Sequence, residues 1–145
     1  QHDRFVERRM DTEVSTEAGG PFKLTVFRSL VDNVEHVALH KGEITADAPA
    51  LVRMHKVSFA DDVLGALGGR TGLVDKGVRA LSAHDGPAAM VFIRETNRAA
   101  ITERFGAAPS DPPDTRKMIL LSTAPQNIVG LDGYGLEVVE QREID

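Results

Sequence analysis

Apolar and polar residues alternate over much of the front half of the chain. In "GGPFKLTVFRSL" (19–30), Phe22, Leu24 and Val26 face one way and Lys23 and Thr25 the other, the period of two that predicts a strand. "VDN" (31–33) is turn chemistry. "EHVALHKGEI" (35–44) alternates again, with Val37 and Leu39 on one face, so the two runs predict a β-hairpin with a slightly long loop. "PALVRMHKV" (49–57) reads as a third strand, expected to join the first two as an antiparallel neighbour. The period then changes. "LVDKGVRALSAHDG" (73–86) carries apolar residues at 74, 78 and 81, helical spacing, with Gly86 suited to the stop.

Behind this, the pattern mixes short strands and helices. "AAMVFIRE" (88–95) is a short apolar strand, and "NRAAITERFG" (97–106) a helix that Gly106 terminates. "AAPSDPPD" (107–114) is a loop, since Pro112-Pro113 cannot continue a helix. "RKMILLST" (116–123) predicts a buried strand, "APQNIVGLDGYG" (124–135) a short helix and glycine turn, and "LEVVEQREI" (136–144) a closing strand. Ahead of it all, "RFVERRMDTEVSTE" (4–17) is charged and reads as a linker. The expectation is a lead-in over 1–18 and one α+β domain over 19–145, a mixed sheet with antiparallel N-terminal strands and packed helices.

Composition narrows the function classes. With 145 residues and 41% apolar content the chain can bury a sizeable core. A net charge of −5 with no run of Lys/Arg argues against a nucleic-acid partner. No apolar run approaches the roughly 20 residues of a membrane-spanning helix. The absence of cysteine excludes disulfides and thiolate metal sites and fits a reducing compartment, which makes the cytoplasm the expected location. The chain opens on Gln1 without a methionine, so it is expected to be the tail of a longer polypeptide.

Candidate chemistry gathers in "LVRMHKVSFADDVLGALGGRTG" (51–72). Arg53 and His55 stand two apart on a strand and leave the same face, which suits an anion or, more commonly, a solvated sheet face. Asp61-Asp62 could bind a metal, but before "VLGAL" they read better as the start of a helix, where Asp caps and meets the helix dipole. "LGGRTG" (67–72) lacks the Lys-Ser/Thr of a P-loop, so a turn is the simpler reading. His36, His40, His55 and His84 do not form a zinc pattern. His36 and His40 share a strand face, but four residues at 3.3 Å each set them about 13 Å apart, too far for one ion. Ser122-Thr123 suits a helix cap or a ligand hydrogen bond.

Taken in order, "EHVALHKGEI", "LVRMHKVSFADDVLGAL" and "KMILLSTAPQNIVGLDGYGLEVVEQREI" resemble the GTP cyclohydrolase II family of riboflavin biosynthesis, from about residue 20 onward. The resemblance implies a domain that follows a 3,4-dihydroxy-2-butanone 4-phosphate synthase in one polypeptide and forms dimers. It also implies opening of the GTP imidazole ring by a zinc-bound water, with release of formate and pyrophosphate. Three cysteines hold that zinc in the family. Their positions fall here on Ser58, Gly69 and Thr71, none of them a thiolate. The family's glutamate after R-x-H falls on Val57, and its phosphate-binding lysine falls near Asn127. Its catalytic tyrosine, aspartate and arginine have no clear counterpart between Asn97 and Arg116.

The expectation is therefore a domain without zinc and without cyclohydrolase turnover, acting as a structural or oligomerisation module of the synthase. Two other readings stay open: a sensor holding a nucleotide or phosphate through Arg53, His55, Arg70 and Ser122, and an active cyclohydrolase with an altered metal site.

Overall fold

The computed structural model describes residues 6–45, 47, 49–106, 117–122 and 137–143, the last two stretches as backbone strands. The chain divides into two compact units, Gln1–Ala107 and Ala108–Asp145.

The first unit is built on a five-stranded mixed sheet. In chain order it has β1 (Val6–Thr16), β2 (Gly20–Ser29), β3 (Glu35–Lys41), β4 (Leu51–Lys56), a π-helical turn (Phe59–Val63), α1 (Leu73–Ala83), β5 (Ala88–Ile93) and α2 (Ala100–Phe105). The spatial order is β1-β2-β3-β5-β4. The hairpin expected between 19–30 and 35–44 is β2–β3, paired antiparallel from Arg28↔Glu35 to Lys23↔His40. Its turn carries Asn33 at φ 62°, a left-handed conformation that Asn tolerates, and Asp32 Oδ1 accepts from the Val34 N–H at 3.1 Å.

Three expectations need correction. The lead-in over 1–18 is, from Val6 to Thr16, an 11-residue strand paired antiparallel with β2. It hides from a period-two reading for two reasons. It is an edge strand exposed along most of its length, and a bulge between Arg8 and Met10 shifts its phase. Second, β4 is not an antiparallel neighbour of β3. It pairs parallel with β5, from Leu51↔Ala88 to Lys56↔Ile93, and β5 itself takes the place beside β3. A parallel partner needs a crossover, and the π-turn and α1 supply it. Third, Gly86 does not stop α1. The helix ends at Ala83, His84 turns extended, and Lys41 Nζ donates to the carbonyls of Ser82 (3.0 Å) and His84.

The core lies between the sheet and α1. Val78 and Leu81 of the helix bury against Phe22, Leu39, Ala88 and Met90. Gly77 lets the helix come close, because a Cβ there would lie 2.8 Å from both Sδ and Cε of Met90. The expected stop at Gly106 is found, at φ 63° after α2.

The second unit contains β6 (Lys117–Ser122) and β7 (Glu137–Glu143), paired parallel. Both strands fall where the sequence places them. The expected loop at 107–114 and the short helix and glycine turn at 124–135 lie outside the described residues.

Candidate functional site

The inner face of β4 carries Leu51, Arg53 and His55, as the alternation requires, while Val52, Met54 and Lys56 are exposed. After Lys56 the chain turns. Ser58 caps the π-turn: its Oγ accepts from the Asp61 N–H at 3.2 Å. The cap is thus Ser58 and not the Asp pair, which occupies the first turn as the dipole argument requires. The Leu64 N–H reaches the Phe59 carbonyl at 3.0 Å, five residues back.

This turn folds Asp62 onto His55. The imidazole Nε2 meets Asp62 Oδ2 at 2.8 Å, and the same oxygen accepts from the Ser58 N–H at 2.9 Å. Both side chains are about nine-tenths buried. The His55 ring also packs edge-on against Phe92, with centroids 5.8 Å apart. Asp62 Oδ1 is buried with no donor among the described residues. Asp61 points elsewhere, its Oδ1 3.2 Å from the guanidinium of Arg104 on α2. Beside this pair lies Gly69, whose Cβ, if it had one, would sit 2.6 Å from Arg104 Nη2.

These residues border a cavity of about 440 Å³ between the end of β4, the π-turn and α2. Its wall is mixed: Phe59 and Ile101 are apolar, Arg70, Arg98 and Arg104 cationic. On the rim, Glu95 accepts from the Asn97 N–H at 2.8 Å and faces Lys56 Nζ at 3.7 Å. Chiefly the Asn97 hydrogen bond, helped by Lys56, holds the exposed Glu95 carboxyl below its usual value.

Of the four residues read from sequence as a residual binding set, His55 and Arg70 line this cavity. Arg53 does not. Its Nε lies under α1, 3.7 Å from where a Cβ on Gly77 would sit. Sharing a strand face with His55 was not enough, because α1 covers the Arg53 end of that face and leaves the other open. Ser122 ends β6 in the second unit, and Thr123 lies outside the described residues. Arg98 and Arg104 were missed. They flank and enter a short helix whose cavity-facing side shows only after the π-turn is placed. Of the three positions matched to metal cysteines, Ser58 lines the cavity, Gly69 adjoins the Asp61–Arg104 pair, and Thr71 does not line it. Two other histidines have separate partners: His36 Nδ1 accepts from the Arg94 N–H at 2.9 Å, and His40 Nε2 meets Thr25 Oγ1 at 2.9 Å.

A mixed five-stranded sheet with one crossover helix, and a cavity at the carboxyl end of β4, define an α+β domain. The sequence model of GTP cyclohydrolase II matches residues 7–110, and the chain belongs to that family. It is 29% identical over 175 residues to a riboflavin biosynthesis protein RibBA of Synechocystis, covering 97% of this chain and 31% of the relative. It is also 29% identical over 164 residues to the monofunctional riboflavin biosynthesis protein RIBA 2, chloroplastic, of Arabidopsis thaliana, covering 95% of this chain and 34% of the relative. Among solved structures, RibBX, a two domain 3,4-dihydroxy-2-butanone 4-phosphate synthase from A. baumannii, matches with 23% identity and a TM-score of 0.45, over 98% of this chain and 41% of that one. The chain thus spans about a third of the length of the two curated relatives named here. Both alignments run longer than the 145 residues of this chain, so each relative carries segments that this chain lacks.

Proposed function

We propose that this domain does not open the GTP ring and serves as a structural, associating module of a riboflavin-pathway protein, expected to be a dihydroxybutanone phosphate synthase. The observation that carries the reading is that the side chains best suited to a metal or a water are bound to one another. Asp62 is engaged through Oδ2 by His55 and the Ser58 N–H, and Asp61 through Oδ1 by Arg104, which leaves only the buried Asp62 Oδ1 without a donor among the described residues.

Zinc does not fit the three positions that would have to hold it. The Ser58 hydroxyl is a poor ligand and is committed to the Asp61 N–H, Gly69 has no ligand atom, and Thr71 offers a neutral hydroxyl. Among the described residues no three His, Cys, Asp or Glu side chains converge on a common point. Association is supported by β4, which has no neighbour on its outer side among the described residues and exposes Val52 and Met54, and by Val63, Leu64 and Leu67 exposed just beyond it. Elemental analysis of the purified chain after dialysis tests the metal half of the reading, with no stoichiometric zinc expected. Light scattering at tens of micromolar tests the other half, with a dimer expected; a monomer would remove the associating role.

A second reading, a sensor of an anionic ligand, is favoured by one observation. Arg70 and Arg98 line the cavity with no carboxylate partner among the described residues. A guanidinium fork suits phosphate.

A further inference from the structure

We infer that the Asp61–Arg104 ion pair fills the space that a side chain at position 69 would need, so that the loop from Ser58 to Thr71 is tied to α2 by a guanidinium and not by a metal ion. The inference rests on the reading that Ser58, Gly69 and Thr71 hold no zinc, and adds what stands there instead.

Gly69 is the informative residue. Among the described residues seven glycines lie at positive φ, where the backbone itself favours glycine, and Gly69 is not one of them. Its φ is not one that requires glycine. The space beside it would not. A Cβ would fall 2.6 Å from Arg104 Nη2, 3.0 Å from Asp61 Cγ, and closer still to Asp61 Oδ1. All three are side-chain atoms and none is backbone, so a substituent at 69 would press on the ion pair first.

The pair is also held from both ends. The Asp61 N–H is fixed by Ser58 Oγ, and the Arg104 guanidinium lies 5.6 Å from the Phe105 ring centroid. A fixed cation already stands beside Gly69, so a ligand-bearing side chain at 69 and the ion pair exclude each other. A loop tied this way resists chelators and responds to salt, because Arg104 is about a third exposed.

The test is a set of thermal melts on the full chain. Gly69→Ala is expected to lower the melting temperature by about 2–4 °C, the shift for roughly 1 kcal/mol in a chain of this size. In an Asp61→Ala/Arg104→Ala background the same substitution should leave it unchanged. Equal drops in both backgrounds would overturn the inference, since additive effects mean no shared space. If Gly69→Ala does not fold, salt provides the measurement. Raising salt to about 1 M, where the screening length is about 3 Å, should close the gap in melting temperature between the unaltered chain and Arg104→Ala. A gap that salt leaves unchanged overturns the inference. Stoichiometric zinc in the unaltered chain would instead remove the reading on which it rests, so the two failures are distinguishable.

Discussion

His55 and Asp62 meet at 2.8 Å across the gap between β4 and the π-turn, both of them buried. They stand seven positions apart in sequence, and the turn exists in part because this contact closes it. Asp62 binds His55 with the same oxygen that takes the Ser58 N–H, so one carboxylate oxygen fixes both the end of the strand and the start of the turn.

Asp62→Ala should therefore destabilise the first unit. It leaves the buried His55 ring and the half-buried Ser58 N–H without their partner, a loss of about 1–3 kcal/mol. Urea unfolding should show a lower midpoint with an unchanged slope. An unchanged midpoint would mean that the contact contributes nothing.

Gly77→Ala sets two effects against each other. Alanine in a helix gains about 1 kcal/mol over glycine. The added methyl would press on Met90, which is 1% exposed and has nowhere to go, and overpacking of this kind costs about 1–3 kcal/mol. The expected sum is a small net destabilisation, read as a lower urea midpoint. A clear rise would show that α1 can move off the sheet.

Much of this architecture is legible in the sequence, and the reasons for the exceptions are specific. Phe22 and Leu24 alternate with the exposed Lys23 because they turn into the core that Val78 and Leu81 of α1 complete, while Thr25 on the opposite face is buried too, bonded to Asp11 and His40. β1 escapes because an exposed edge strand has no buried face to impose alternation. The partner of β4 escapes because alternation reports which face is buried, not which strand lies alongside. The candidate site was half legible. The alternation around His55 found it, but Arg53 shares that alternation and lies under α1. Arg98 and Arg104 carry no periodic signal. They reach the cavity only through the turn at Asn97, where Nδ2 donates to Glu103 at 2.6 Å and Oδ1 accepts from the Ala99 N–H at 3.0 Å.

That turn should respond to acid. The Glu95 carboxyl is held below its usual value by the Asn97 N–H first and by Lys56 second. A lowered folded-state value means that its contribution is present above the unfolded carboxylate range and is lost as pH falls through the folded value. An NMR titration should give Glu95 a midpoint below that of a peptide glutamate. A midpoint at or above it would contradict the hydrogen bond.

The anion reading predicts that inorganic pyrophosphate binds weakly in the cavity and less well as salt rises. Arg98→Ala should weaken it by about 1.5–3 kcal/mol, the range for a hydrogen bond to a charged group. Calorimetry showing no binding at millimolar concentration would leave Arg70 and Arg98 as solvated surface charges.

The most direct test of the central claim is formate release from GTP by the purified full chain, measured with zinc added in excess. With Asp61 and Asp62 bound within the protein and no thiolate at Ser58, Gly69 or Thr71, release should not exceed that of buffer containing zinc alone. Enzyme-dependent formate release that is abolished by a chelator would contradict the account and show that other residues hold a working metal.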